Sequence, residues 1–435
     1  MSYTPAIDRD FVDPVQAGSP AGLSGKTEST AKRIAISVLL GALVVALLAV
    51  LGLGVLHETG GTNSYAALAD AWLHGRLDSD GCFQSDWAYF GGRSFIIFPP
   101  LPAVIALPFV ALFGSGFHGF LPLAVLALAA SGVLWWRIAA RLTGARDLTM
   151  LLVLVVLFAT PLFFVTLRSD HVWFLAQSFG FLFTAAALYC ALISRNALLA
   201  GLFIAAAFLC RQMTILYLPF LYVLLLDEEP LFRIDGAAIK RLLALAAFPL
   251  VAIAAYMAYN YARFGAPMET GYSYLHNDPG HVSQFIAHRV LELGLFSPHY
   301  LLFNVVYMFL AGPHVDFTGR YMTEFAGFDT NGASLFLVTP LLLVAFLARW
   351  ERSFWFGLAT CAVILGLTLL YHSNGYSQYS AQRYALDWLP ILLIFVARGM
   401  KPAYAGPLAV LTVYAMAVTL GMIVVGGVVG GVAAG

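Results

Sequence analysis

The chain has 435 residues, of which 61% are hydrophobic and only 11% charged, with 23 basic and 23 acidic side chains in balance. A soluble domain carries about one charged residue in four, so this composition excludes a soluble globular enzyme and points to an all-α integral membrane protein. Zero net charge gives no electrostatic footing for nucleic acid, and the scattered cysteines Cys82, Cys190, Cys210 and Cys361 set up neither a metal motif nor a disulfide framework.

Two rules order the chain: about 20 apolar residues are needed to cross the hydrocarbon, and Lys and Arg collect at cytoplasmic ends. Residues 1–33, polar and carrying Pro14, Gly18, Pro20 and Gly25, are expected to form a disordered cytoplasmic tail. The run Ile34–Leu56 follows Lys32 and Arg33 and leads outward as the first span of a transmembrane domain covering 34–427. An outer loop, 57–119, comes next, in which NSYAALADAWLHGRL has the pattern of a helix lying along the interface. Pro99–Phe113 is short and carries Pro99, Pro100, Pro102 and Pro108. If it and the next run both crossed, Arg137, Arg141 and Arg146 would be stranded outside, so it is expected to stay on the outer side as an interfacial or re-entrant helix.

Further spans are expected at 120–142, 148–167, 172–193, 197–210, 213–227 and 240–262, which place Arg195 and Asp227–Arg241 inside. The short runs 197–210 and 213–227 read as a bent pair. A second outer loop, 263–332, is followed by spans at 333–349, 354–371, 384–398 and 403–427 and a Gly-rich tail, 428–435. The expected architecture is an all-α polytopic bundle of about 11 transmembrane helices, with juxtamembrane helices in the first outer loop.

Cations on the inner side follow from the charge rule; those left on the outer side do not. That set is Arg76, Arg93, Arg168, Arg211, Arg263, Arg320 and Arg383, beside Glu58, Asp70, Asp86, Asp170, Asp387 and His171. The planar guanidinium fork suits a phosphate, so the functional reading is an anionic lipid headgroup held at this face, with Arg93, Arg168, Arg211 and Arg383 as its ligands. Plainer readings exist for each. Arg76 and Arg263 end apolar stretches and can snorkel, Arg168 and Asp170 can form a local ion pair within LRSDHVW, and Arg383 can pair with Asp387 at helical i,i+4 spacing. His57, His74 and His171 are too scattered to form a metal motif.

Transfer of a group from a phosphate to a hydroxyl needs a general base and charge neutralisation on the departing phosphate. Glu58 directly follows the first span, Asp70 lies on the interfacial helix, and Asp86 stands among Trp87, Tyr89 and Phe90, ahead of a Gly91–Gly92 turn and Arg93. Burial against the aromatics would raise the Asp86 pKa and Arg93 would lower it.

The runs SYAALADAWLHGRL and SDWAYFGGRSFIIFPPLPAVIALPFVALFG resemble the first outer loop of bacterial GT-C superfamily membrane glycosyltransferases, the group that includes protein O-mannosyltransferases and the aminoarabinose lipid A transferase. AGLFIAAAFLCRQMTILYLP, YNYARFGAPMETGYSY, GLFSPHYLLFN and YSAQRYALDWLPILL follow in the order of that family, from about residue 31 to about residue 400. The resemblance implies a polyprenyl-phosphate-linked sugar donor, membrane lipids as surroundings, a carboxylate of the first outer loop as general base and inversion at the sugar. It also implies a bacterial inner-membrane location with the active face outside the cytoplasm. The acidic pair of that family would fall at Thr62, Asn63 and Ser64, none of them acidic. The base is therefore expected at Asp86, Asp70 or Glu58, in that order. By the same resemblance Asp170 binds a hydroxyl, an amine or, in members that use one, a divalent metal, and His171, Gln382 and Tyr384 contact sugar or phosphate. The acceptor (lipid, glycan or protein) stays open, as do a lipid-linked glycan ligase or polymerase and a non-enzymatic polyprenyl-lipid flippase or binding protein.

Overall fold

The computed structural model describes residues 21–61, 63–80, 87–231, 235–275, 289–373 and 378–426. The chain is mostly helical, at 71%. Helix α1 runs from Ala21 to Leu56, so it reaches back over 21–33, where composition suggested a tail. The segment between α1 and the next long helix contributes α2 (Ser64–Leu73), a hairpin of β1 (Trp87–Phe90) and β2 (Arg93–Ile96), and α3 (Leu101–Phe113). Next come α4 (Phe120–Thr143), α5 (Arg146–Phe158), α6 (Pro161–Leu167), α7 (Val172–Tyr189), α8 (Ala197–Phe208), α9 (Leu218–Leu226) and α10 (Gly236–Phe264). The remainder is α11 (Pro298–Leu310), a second hairpin of β3 (Val315–Thr318) and β4 (Glu324–Phe328), α12 (Leu335–Val338), α13 (Arg352–Leu369), α14 (Leu389–Gly399) and α15 (Ala405–Val425).

The two hairpins correct the all-α expectation. The first is dictated by Gly91 and Gly92, whose φ values of 59° and 77° are those of a two-residue turn that matches strand twist.

Six helices among the described residues are long and apolar enough to cross a membrane: Thr30–Leu56, Phe120–Thr143, Val172–Ser194, Gly236–Phe264, Arg352–Leu369 and Pro402–Val425. The pair α5 and α6 passes the same test together and makes a seventh if it is one span; it is bent by 45° where Thr160 caps the new helix and Pro161 takes its first position. The chain is thus a multi-pass membrane protein. Length and composition give six or seven spans where the sequence reading expected about 11, because α8, α14 and the run Gln212–Leu226 are shorter apolar helices. Residues 340–347 form a 3-10 run. A 12-residue helix such as α8 covers about 18 Å of the roughly 30 Å hydrocarbon.

The short helices nevertheless return to one face. Arg195, just before α8, lies 2.8 Å from Asp227, just after α9, so the segment between them is a closed hairpin. Arg241 bonds Glu229 at 2.9 Å, Arg352 donates to the carbonyls of Glu229 and Asp227, and Arg398 donates to Ser353 Oγ at 2.6 Å. Four of the cations that the charge rule put inside, Arg195, Arg241, Arg352 and Arg398, therefore stand at one set of helix ends. The opposite ends of α7, α8, α10 and α14 carry His171, Arg211, Arg263 and Asp387. Gly201 lets α8 press on α10, since a Cβ there would stand 2.3 Å from the Leu245 carbonyl oxygen.

At that second face His372, which follows α13, is buried at 5% exposure with neither ring nitrogen hydrogen-bonded. Burial, with Arg289 nearby, holds its pKa down at about 4. A depressed His pKa contributes stability above the unfolded value of 6.5, and that contribution is lost as pH falls from there toward 4. Thermal unfolding of the detergent-solubilised protein should therefore show a drop between those pH values that His372→Phe reduces; equal drops in both proteins would contradict it.

Candidate functional site

The arginines singled out in the sequence divide into two groups. Arg93 is 68% exposed and sits 3.8 Å from Asp78, and Arg76 pairs with Asp80 at 2.6 Å. Both belong to the first-loop surface. Asp70 lies there too, 3.8 Å from His74 Nδ1. Asp86 lies outside the described residues.

Arg168, Arg383 and Arg211 come together. Arg168 stands 5.9 Å from the Phe174 ring, Arg383 lies 4.9 Å from both Phe174 and Tyr384, and Arg211 is 5.3 Å from Tyr384. Three cations thus alternate with two aromatic faces, and each face attracts the guanidinium beside it by about 0.5–2 kcal/mol. The series descends into the protein: Phe174 and Gln177 are on the first turns of α7, and Gly180 is roughly 14 Å below its His171 end. Gly180 is required, since a Cβ there would meet Arg211 Cγ at 2.8 Å.

Each arginine is oriented by a different device. Arg383 Nη1 donates to Gln177 Oε1 at 3.0 Å, and Gln177 Nε2 donates back to the Arg383 carbonyl at 3.2 Å. Arg211 holds Asp387 in a two-pronged pair, Nε to Oδ1 at 3.0 Å and Nη2 to Oδ2 at 2.5 Å. Asp387 itself is 4% exposed, and its carbonyl accepts from the Tyr217 hydroxyl at 2.9 Å. The expected i,i+4 partnership of Arg383 with Asp387 gives way to this pair because residues 383–387 form a 3-10 turn. At three residues per turn, position i+4 points a third of a turn away from i.

At the open end Arg168 Nε is 3.7 Å from Asp170 Oδ1, and His171 Nδ1 is 2.8 Å from Asp170 Oδ2. These contacts are ionic in geometry; Asp170 Oδ1 is buried and accepts no hydrogen bond. The His171 ring stacks on Trp173 at 5.9 Å. The turn carrying them is fixed by Asn63, whose side-chain amide donates to the carbonyls of Ser169 and Asp170 at 3.3 and 3.0 Å while its oxygen caps α2 through Tyr65 N–H. Gln382 is buried, with Nε2 on the Asn331 carbonyl at 3.2 Å, and the Tyr384 hydroxyl reaches Ser373 Oγ at 3.5 Å.

Glu58 is drawn elsewhere. Its carboxylate accepts from the Phe120 and Leu121 N–H groups at 2.8 and 3.2 Å, capping the start of α4. Burial lifts its pKa above the ordinary carboxylate value, against the pull of those N–H groups. Arg263 does not snorkel: at 4% exposure it donates to the Ile96 carbonyl at 2.8 Å and lies over the Tyr259 ring, clamping the first hairpin to α10. Among the described residues no group of three or more His, Cys, Asp and Glu side chains is placed to hold a metal. Sequence reasoning missed Gln177 and Asn63, neutral amides whose only signal is a polar residue inside an apolar run or ahead of a helix.

No family model matches the chain, and no curated protein matches it. Among solved structures it is similar to the crystal structure of ArnT from Cupriavidus metallidurans bound to undecaprenyl phosphate, at 16% identity and a TM-score of 0.48, over 86% of this chain and 62% of that one. The apo state of the same protein gives 14% identity and a TM-score of 0.44, over 85% of this chain and 62% of that one. The chain therefore spans less than two thirds of the length of that protein.

Breaking a buried ion pair from one side leaves a charge uncompensated and costs about 3–5 kcal/mol, whereas replacing both partners by apolar groups is far milder. Asp387→Asn should lower the melting temperature sharply, and the double variant Arg211→Met, Asp387→Leu should recover most of the loss. Thermal unfolding in detergent measures both; an unaltered melting temperature for Asp387→Asn would refute the pair's role.

Proposed function

We propose that this protein is a GT-C-type glycosyltransferase that moves a sugar from a polyprenyl-phosphate carrier to an acceptor hydroxyl at the outer face of a bacterial inner membrane. The observation that carries the reading is the alternation of Arg168, Arg383 and Arg211 with Phe174 and Tyr384 beside the unbonded Asp170 oxygen. An oxyanion is what such a cationic, partly desolvated row binds best. The row stands at the helix ends opposite the Arg195, Arg241, Arg352 and Arg398 face, which the charge rule assigns to the cytoplasm. The outer sequence motifs point the same way.

In this reading Arg383 and Arg168 neutralise the departing phosphate, while Arg211, tied to Asp387, holds the floor of the site. Asp170 accepts the proton of the attacking hydroxyl, with His171 orienting it. Attack on the face opposite the phosphate inverts the anomeric centre. Asp86, the first-loop carboxylate favoured by the sequence, is the competing base, and Glu58 serves as a helix cap. The short helices α8, α9 and α14 cross a membrane region thinned by the sunken site, which accommodates a span count of about 11.

Transfer should be assayed on purified protein with a panel of radiolabelled polyprenyl-phosphate sugars, including undecaprenyl-phosphate donors, and membrane-extract acceptors. Asp170→Asn is expected to lower kcat by roughly 10²- to 10⁴-fold with a small change in KM, and Arg383→Gln to raise the donor KM as well. Full transfer by Asp170→Asn together with loss in Asp86→Asn would move the base to the first loop. Turnover of no donor by the wild type would sink the transferase reading.

A further inference from the structure

The second outer loop carries a structure that the site does not use. Among the described residues strands β3 and β4 pair only with each other, with Phe328 of β4 half-buried against the core, and a two-stranded hairpin is marginal in water unless a face is covered. Phe317 and Phe325 stand opposite each other in the ladder and meet edge-to-face at 6.2 Å, yet they are 43% and 49% exposed. At the tip Tyr321 and Met322 are 75% and 67% exposed, and the Arg320 guanidinium lies 5.6 Å from the Tyr321 ring. The hairpin is not a loose end. Its base is closed by Asp329 N–H on the His314 carbonyl at 3.0 Å, and the Asp329 carboxylate accepts from the Tyr307 hydroxyl of α11 at 2.7 Å.

Its surroundings decide what covers it. The hairpin follows α11 directly, and α11 presents Leu301, Leu302 and Leu310 at 42%, 76% and 66% exposure, the surface an apolar helix of a membrane protein offers to lipid. Aromatic rings, a thioether and one arginine are the side chains that partition into the headgroup region, where rings take an apolar body and a polar rim and a guanidinium meets lipid phosphate.

We propose that the 315–328 hairpin is a membrane-interface anchor: the Phe317/Phe325 face and the Tyr321–Met322 tip lie among outer-leaflet headgroups and upper acyl chains, with Arg320 on lipid phosphate. The anchor bears on the site through the segment just past the hairpin, where the carbonyls of Thr330, Asn331 and Ala333 accept from Gln378 and from Gln382, the neighbour of Arg383. It does not depend on which reaction the site performs.

The test is photo-crosslinking of the full chain in nanodiscs of phosphatidylcholine and phosphatidylglycerol, with p-benzoylphenylalanine placed at Tyr321 or Phe325, at Leu302 as a lipid-facing reference, and at His314, which is 68% exposed at the polar base, as a solvent reference. Lipid adducts read by mass spectrometry should form at 321 and 325 to nearly the extent seen at 302 and several-fold above 314. Arg320→Gln should reduce the share of phosphatidylglycerol among the adducts. Adducts at 321 and 325 no higher than at 314 while 302 labels lipid, or adducts there to a second copy of the chain in place of lipid, would overturn the anchor.

Discussion

Everything at the candidate site depends on the Arg211–Asp387 pair. The two residues are 176 positions apart, each at the break between an irregular segment and a short apolar helix: Arg211 between α8 and the 3-10 turn Gln212–Tyr217, Asp387 at the end of the turn preceding α14. A broken helix exposes N–H and C=O groups that an apolar environment will not solvate. The pair, together with the Tyr217 hydroxyl on the Asp387 carbonyl, meets part of that demand and ties the two breaks to each other. A charge at this depth is tolerable only because its counter-charge is held in the same place by two hydrogen bonds.

That constraint sets the shape of the rest. Because the breaks are joined below the level of His171, the helices that start from them are short, and the site is sunk among longer neighbours such as α4, α7 and α10. Gly180 leaves room on α7 for the Arg211 stem, and the aromatic rings of Tyr384 and Phe174 space the arginines so that three like charges do not collide. Asp387 neutralises the deepest cation, so the attraction for an anion is concentrated nearer the mouth, at Arg383 and Arg168.

Much of the scaffold was legible. Apolar run lengths located the long helices, the distribution of Lys and Arg separated the two sets of helix ends, and Gly91–Gly92 marked a turn. The single arginine in LCRQMT marked a break between α8 and the 3-10 turn that follows. The pairing was not legible: Arg211 with Asp387 and Arg383 with Gln177 are contacts across 176 and 206 residues, and local spacing favoured Arg383 with Asp387. The rule used there assumes 3.6 residues per turn, and the chain at that point takes three. Length and composition alone pass six or seven of the expected spans. Hydropathy registers an apolar helix of 11 residues as readily as a longer one, and only three-dimensional burial shows that α14 is enclosed by protein.

The carboxylates show how the structure redistributes roles that the sequence left open. Position 63, where the resembling family would supply an acid, holds an amide that donates to two carbonyls of the 168–171 turn and accepts from α2 at once. A carboxylate can perform only the accepting half of that task and would face the Ser169 and Asp170 carbonyls with negative charge. Asn63 therefore joins the start of α2 to the Asp170 turn where an aspartate would repel it. Glu58, the acid next nearest in the chain, is turned onto the N–H groups of α4. Among the described residues, two carboxylates stand beside the arginines: Asp387, committed to Arg211, and Asp170, whose turn is held by Asn63 and whose Oδ1 accepts no hydrogen bond.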